Sequence, residues 1–373
     1  MSDGVAPPRL LLRLEAEIAG AGSQLDADCK RAERAAYLAR MGKIDEVQAE
    51  VAELQLRYEA SPNARVSSWL HLVLALVAHV KDMGSAARER LLRAHAISAA
   101  AGLNQLQALS AAWVAHMDYL QANVHSMVRR ASESLRLARD DDHSTRSRAS
   151  LVVAQAYHLA GRLDAALPWY ARARSHATAE GDAATLSALM HGMAWLRAQE
   201  LRVRGWMRTE VAGDEGHALL AAESAANFDA MTRVKGLSGL VPVLRAQIHA
   251  ALGQFDAALQ LFEAHLETAV REGKERLHAD LVADQAWCRM NLGQWERAYR
   301  EAVAAEALID SAGHSGDRAM AHGRLAQVFV AAGDVNRAGH HKRLALDAFA
   351  KHDALKLEIL RVLGDSREIC PVE

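Results

Sequence analysis

Small, apolar and turn-forming positions recur in a fixed order along this chain. Between Ala246 and Ala338 the order runs three times: Ala246, Gly253, Phe255, Ala258; then Ala286, Gly293, Trp295, Ala298; then Ala326, Gly333, Val335, Ala338. A small residue, a glycine seven places on, an apolar residue two beyond and an alanine three further predict a helix, a tight turn and a second helix packed closely on the first, an αα-hairpin. The turn glycines are 40 residues apart, and the same step taken backwards reaches Gly213, then Gly161, Ala122, Asp82 and Gly42, with one longer interval of 52 before Gly213. Reading that interval as 40 plus a 12-residue insertion in the fifth unit gives eight units.

Seven places before each turn, the insertion allowed for, stand Ala35, Ala75, Ala115, Ala154, Ala194, Ala246, Ala286 and Ala326. Five places after each turn stand Val47, Ala87, Met127, Ala166, Ala218, Ala258, Ala298 and Ala338. Two helices crossing at about 8 to 10 Å leave room for little more than a methyl group, which is why the alanines keep phase with the turns. A second series of breakers, Pro62, Gly102, Asp142, Gly181, Gly273, Gly313 and Asp353, falls 20 residues after seven of the eight turns and is expected to end those second helices; in the fifth unit Gly236 and Gly239 lie slightly later.

These motifs resemble the tetratricopeptide repeat family. Its small residue, turn glycine, aromatic and alanine are matched by Ala154, Gly161, Leu163, Ala166 and Tyr170 in the fourth unit, and by Ala246, Gly253, Phe255, Ala258 and Phe262 in the sixth. The best-known form repeats every 34 residues. The longer period here is similar to the variant in the sensor regions of maltose-activator-type (LuxR-class) regulators and ahead of some bacterial diguanylate cyclase domains. The resemblance covers roughly residues 28–352. It implies an all-α fold, a right-handed superhelical α-solenoid of about eight helix pairs, in which the first helix of each pair lines a concave groove that holds peptides or other proteins.

The expected organisation is a disordered leader over 1–9, a capping helix within 10–27, the solenoid over 28–352 and a C-terminal capping helix and tail over 353–373. Leu10, Leu11, Leu14 and Ile18 recur at helical spacing, so the first cap is amphipathic. It is expected to lie as a lid on the open end of the first repeat, with a dimer contact as the alternative. The insertion, within 195–212, either extends its helix or protrudes as a loop. It carries Arg202, Arg204, Trp206 and Arg208 and is a candidate recognition element.

Composition sharpens this picture. Hydrophobic residues are 51% of the chain but aromatic residues only 5%, so alanine and leucine must supply the core, a mixture that favours helices. A net charge of -2 lacks the basic excess of a nucleic-acid binder. Three cysteines without a C-x-x-C suggest neither a disulfide framework nor a zinc knot, and no secretory leader or long apolar run is seen, so a cytoplasmic protein without a membrane or nucleic-acid partner is expected. No phosphate-binding glycine loop, dinucleotide fingerprint or nucleophile elbow is present, and neither enzymatic activity nor a cofactor is expected.

Groove candidates follow from the repeat. The residue after each alanine of the first series should face the groove: Ala36, Leu76, His116, Gln155, Trp195, Gln247, Trp287 and Gln327. Tyr119, His158, His191 and Arg324 lie about one turn away on the same helices. Gln, His, Trp and Tyr combine apolar area with hydrogen-bonding tips, so this set suits an extended peptide. Trp69 and Trp113, near the starts of first helices, read as packing residues. His116, His158 and His191 could approach one another, but no H-x-x-x-H pair supports a metal site. The leading expectation is a scaffold or regulatory adaptor binding a protein or peptide in the groove. The alternative is a sensor that encloses a small molecule or signalling peptide near His191, Trp195 and Trp206 and changes superhelix curvature.

Overall fold

The structure, a computed structural model, describes residues 7–82, 85–207, 215–236, 239–271, 275–309, 315–366 and 369. Among the described residues there are seventeen α-helices and no strand. Helix α1 is Arg9–Ala19. Eight pairs follow: α2 (Gln24–Arg40) with α3 (Ile44–Arg57), α4 (Ala64–Asp82) with α5 (Ser85–Ala100), α6 (Asn104–Leu120) with α7 (Val124–Leu137), and α8 (His143–Leu159) with α9 (Leu163–Glu180). Then come α10 (Ala183–Met207) with α11 (Glu215–Thr232), α12 (Leu240–Ala251) with α13 (Phe255–Ala269), α14 (His278–Asn291) with α15 (Trp295–Leu308), and α16 (Ser315–Ala331) with α17 (Val335–Gly364).

The turns fall where the period places them. Gly42, Gly161, Gly253, Gly293 and Gly333 are all left-handed, a conformation that glycine adopts without a Cβ penalty. In the third pair, which has no glycine, Ala122 takes the same backbone at φ 56°. The second and fifth turns, at 83–84 and 208–214, lie outside the described residues, as do Gly273 and Gly313. All sixteen positions of the two small-residue series are buried, and seven of the eight alanines preceding the turns have no exposed surface at all. Where these positions hold alanine, as fourteen of them do, the packed neighbours leave room for little more than a methyl.

The chain divides into two compact units: Met1–Leu189 with Asn227–Leu237 and Glu358–Glu373, and Met190–Ala226 with Ser238–Leu357. In the first unit α2, α4, α6 and α8 pack successively to form an inner row, backed by α3, α5, α7 and α9. In the second, α12, α14 and α16 do the same.

Two expectations need correction. Helix α1 does not cover the open end of the first repeat. It lies against the inner row of its unit, with Leu10 and Leu14 buried among Tyr37, Met41, Ala183, Ala184 and Val234, and Leu10 N donates to Gly181 O. Its apolar stripe is narrow enough to be satisfied by a groove, and α2 already begins at Gln24. Second, no break separates a C-terminal cap, because α17 runs unbroken through Asp353. No glycine or proline lies between 346 and 363, and Lys356 pairs with Asp353 one turn on. Of the two alternatives for the insertion, its described part, up to Met207, extends α10 to 25 residues, and Arg208 lies outside the described residues.

The first unit closes on itself. Arg40 Nη1 donates to Asp182 Oδ2 at 2.6 Å and to Thr185 Oγ1 at 3.0 Å, and Lys235 N donates to Met41 O. Backbone meets backbone at this seam: a Cβ on Gly236 would stand 2.7 Å from Arg40 O, and one on Gly42 would stand 2.8 Å from Gly236 N. Two glycines are therefore required where the turn of the first pair meets the segment that follows α11.

Candidate functional site

Because inner-row helices must pack on one another at one end and diverge elsewhere, the space between them depends on which turn of the helix is considered. In the first unit the first turns of α4, α6 and α8 and the middle of α2 surround a cavity of about 230 Å³, which α1 covers from the inner side. Ala36 and Leu76, two expected groove positions, are on its wall. So are Trp69 and Trp113. Both are buried in the apolar core of the unit, as expected of packing residues, yet each also presents surface to the cavity.

Most of the cavity's charges are paired. Arg13 Nη2 donates to Glu180 Oε1 at 2.6 Å, Lys30 Nζ lies 2.7 Å from Glu17 and 2.9 Å from Glu33, and Arg65 Nη1 donates to Asp26. Asp182, fully enclosed, would be pushed up by burial. Arg40 and the hydrogen bonds from Thr185 N and Oγ1 outweigh this and hold its carboxyl below the usual range. Asp142 caps α8 by accepting from Thr145 N, but burial raises its carboxyl above the ordinary range, and Oδ2 has no partner.

Arg148 is different. Its residue is 4% exposed, and its guanidinium lies over the Trp113 ring at 3.9 Å from the centroid. Burial, with the charge of Arg40 adding to it, pulls its pKa down to about 9. Trp113 in turn meets His116 edge-on at 5.6 Å, and His116 meets His79 at 5.3 Å. Burial, with the Arg148 and His79 charges, holds the His116 imidazole well below its ordinary value, so it is neutral at pH 7. The other expected residues of this unit lie toward the opposite end of the inner helices. Gln155 is buried with Oε1 unpartnered, His158 shares a 3.1 Å hydrogen bond with the Tyr170 hydroxyl, and Tyr119 is half-buried.

In the second unit the expected residues are brought together by a different device. Arg202, from the extended part of α10, is fully buried and donates to Asp280 Oδ1 and Oδ2 at 2.6 and 2.8 Å and to Asp284 Oδ2 at 2.7 Å. Gln247 Nε2 donates to the same two carboxylates, Arg324 Nε donates to Asp284 Oδ1 at 2.7 Å, and Arg324 Nη1 donates to Gln327. Burial, opposed by Arg202 and reinforced by Asp284, pushes the Asp280 carboxyl up. Trp287 stands between Phe255 and the Arg324 guanidinium, and Trp195 is half-buried against the core. Trp206 stacks on Phe349 at 4.8 Å and presses on Gly323, where a Cβ would meet its Nε1 at 2.6 Å. His191 is buried and Arg204 half-buried. The network holds α10, α12, α14 and α16 together.

Sequence reasoning missed Arg148, the double role of Trp113, and α1 as a wall. A signal for Arg148 existed. Seven residues, two helical turns, before Ala36, Leu76, His116 and Gln155 stand Cys29, Trp69, Leu109 and Arg148, and all four line the cavity. Among the described residues no group of three or more His, Cys, Asp or Glu side chains is placed to hold a metal, and no helix is long and apolar enough to cross a membrane.

No protein-family model matches the chain, and no curated protein matches it in sequence. In structure it is similar to a Rap protein solved in complex with Competence and Sporulation Factor. The TM-score is 0.58 over 92% of each chain, at 12% sequence identity. Together with the paired helices and the turn glycines, this places the fold among tetratricopeptide-like helical repeats.

Proposed function

We propose that this chain is a non-enzymatic regulatory adaptor whose first unit binds a peptide, or an exposed peptide segment of a protein, in the cavity between α1 and the inner row. One observation carries the reading: the inner row of the first unit leaves a lined cavity of about 230 Å³, while the equivalent face of the second unit is filled by the Arg202 network. The volume is below the roughly 300 to 1,000 Å³ of sites that enclose a drug-sized molecule, and it suits one side chain or the end of a peptide whose remainder leaves the cavity. The Rap protein of the same fold is complexed with a factor, and the 40-residue period resembles that of bacterial sensor regions. Both support a regulatory role. The small-molecule reading shares this cavity and moves from the expected neighbourhood of Trp195 and Trp206 to that of Trp113.

The test is selection of a displayed random octapeptide library on the full chain and on Leu109→Trp, which fills the cavity from a half-buried wall position. A consensus enriched on the wild type and lost on the variant is expected, with slower amide exchange on α2, α4, α6 and α8 when the selected peptide is added. Equal enrichment on both proteins, or protection confined to the second unit, would refute the site.

A further inference from the structure

The cavity leaves one cation over. Arg13, Lys30, Arg40 and Arg65 each face a carboxylate within 3 Å. Arg148 has none so near: Asp182 acts on its charge only through space, its Nε is buried without a partner, and among the described residues its guanidinium makes no hydrogen bond and no ion pair. A guanidinium carries five donors in a planar fork, and leaving them unmade in a buried place is costly. Hydration of a charged group is lost on burial whatever the fold gains nearby, so a site that keeps such a group uncompensated is complete only when an anion arrives. The ring of Trp113 fixes the plane of the fork at 3.9 Å, and the side chain lines the cavity, so its geometry is set before the ligand enters.

Resting on the peptide-binding reading above, we propose that Arg148, backed by Trp113, receives a single carboxylate of the ligand, either the peptide's C-terminus or an Asp or Glu side chain. Planar carboxylate matches the planar fork in a paired, charge-assisted arrangement. The charge count favours a monoanion. The wall also carries Glu33, Asp141, Asp142, Glu180 and Asp182, so a phosphate dianion would meet one free cation among five acidic side chains. A carboxylate needs only that one.

The experiment uses the full chain and three pools of N-acetylated tripeptides: neutral side chains with a free C-terminal acid, the same pool amidated, and an amidated pool containing one Glu. Affinity is read by titration calorimetry and by the fluorescence of the cavity tryptophans, with inorganic phosphate as competitor. The acid pool, the Glu pool or both are expected to bind about 10- to 100-fold more tightly than the neutral amide, the range for hydrogen bonds to a charged group. Which of the two does so identifies the source of the carboxylate. Arg148→Met should erase the preference and Arg148→Lys should keep part of it, whereas millimolar phosphate should not compete. A neutral amide that binds wild-type protein as tightly as the acid and Glu pools overturns the carboxylate assignment while leaving peptide binding intact, and this comparison needs no variant. Effective competition by phosphate overturns the monoanion selectivity. Failure of every pool to bind at millimolar concentration overturns the carboxylate assignment and the peptide-binding reading together.

Discussion

Replacing Arg148 should make the protein more stable. Most substitutions of buried residues do the reverse, so the sign of this effect is diagnostic. In the folded chain its pKa falls to about 9, against an ordinary value above 12. A gap of about 3.5 pH units, at about 1.36 kcal/mol each, is a penalty of roughly 5 kcal/mol for holding the charged form in place. A base whose folded pKa is depressed carries this penalty in full below the folded value, and it is relieved only as pH rises through about 9 and beyond. At pH 7 it is therefore complete. Arg148→Met removes it, keeps most of the apolar volume, and gives up the cation–π contact with Trp113, worth about 2 kcal/mol when desolvated. Some packing is lost as well. The net expectation is a gain of about 1 to 3 kcal/mol, or about 2 to 4 °C in Tm for each kcal/mol in a unit of roughly 200 residues. Urea unfolding followed by far-UV circular dichroism, with tryptophan fluorescence as a second probe, measures it. A loss of 1 kcal/mol or more in Arg148→Met would mean that the guanidinium has a partner in the free protein. The case for a waiting anion site would then fail.

Three further outcomes are expected. Arg202→Met should destabilise by about 3 to 5 kcal/mol in urea unfolding because it leaves Asp280 and Asp284 buried without their shared cation, and exchange should quicken first on α14; a change below 1 kcal/mol would refute the network's role. Ala122→Gly should stabilise by about 1 kcal/mol and Gly161→Ala should destabilise by a similar amount, since both turns need left-handed backbone; opposite signs in thermal unfolding would count against the shared turn geometry. Asp182 is held below its ordinary range, so its contribution to stability is present above its unfolded pKa near 4 and is lost as pH falls through the lower folded value. Acid should therefore loosen the first unit at that end, and Arg40→Met should remove this part of the pH dependence in unfolding curves taken from pH 2 to 6.

Much of the fold was legible because it rests on a local rule repeated eight times. A small residue is favoured wherever paired helices cross, and alanine at fourteen of the sixteen positions in phase with the turns marks every pair. The site was less legible because it depends on which turn of each inner helix faces open space. Stepping from His116 to Tyr119 or from Gln155 to His158 leads away from the cavity; stepping seven residues the other way leads to Leu109 and Arg148. The placement of α1 had no local signal at all. Leu10 and Leu14 suit any apolar surface, and their actual neighbours, Ala183, Ala184 and Val234, are more than 160 residues away in sequence. Arg202 likewise reads in sequence as part of a candidate recognition element, and nothing local announces the two carboxylates of α14 that bury it.

The joining of Arg40 to Asp182 has a bearing on how the first unit assembles. The two residues are 142 apart. Drawing together the ends of a flexible segment that long costs about 4 kcal/mol in chain entropy before any contact is made, more than one partly exposed ion pair returns. The bond can form only after the intervening helix pairs have docked in turn and delivered both ends to the same place. It therefore belongs with the late connections made on folding and the early ones to part on unfolding. A pair of probes at residues 40 and 182 would report completion of the unit, separately from the helix content that precedes it.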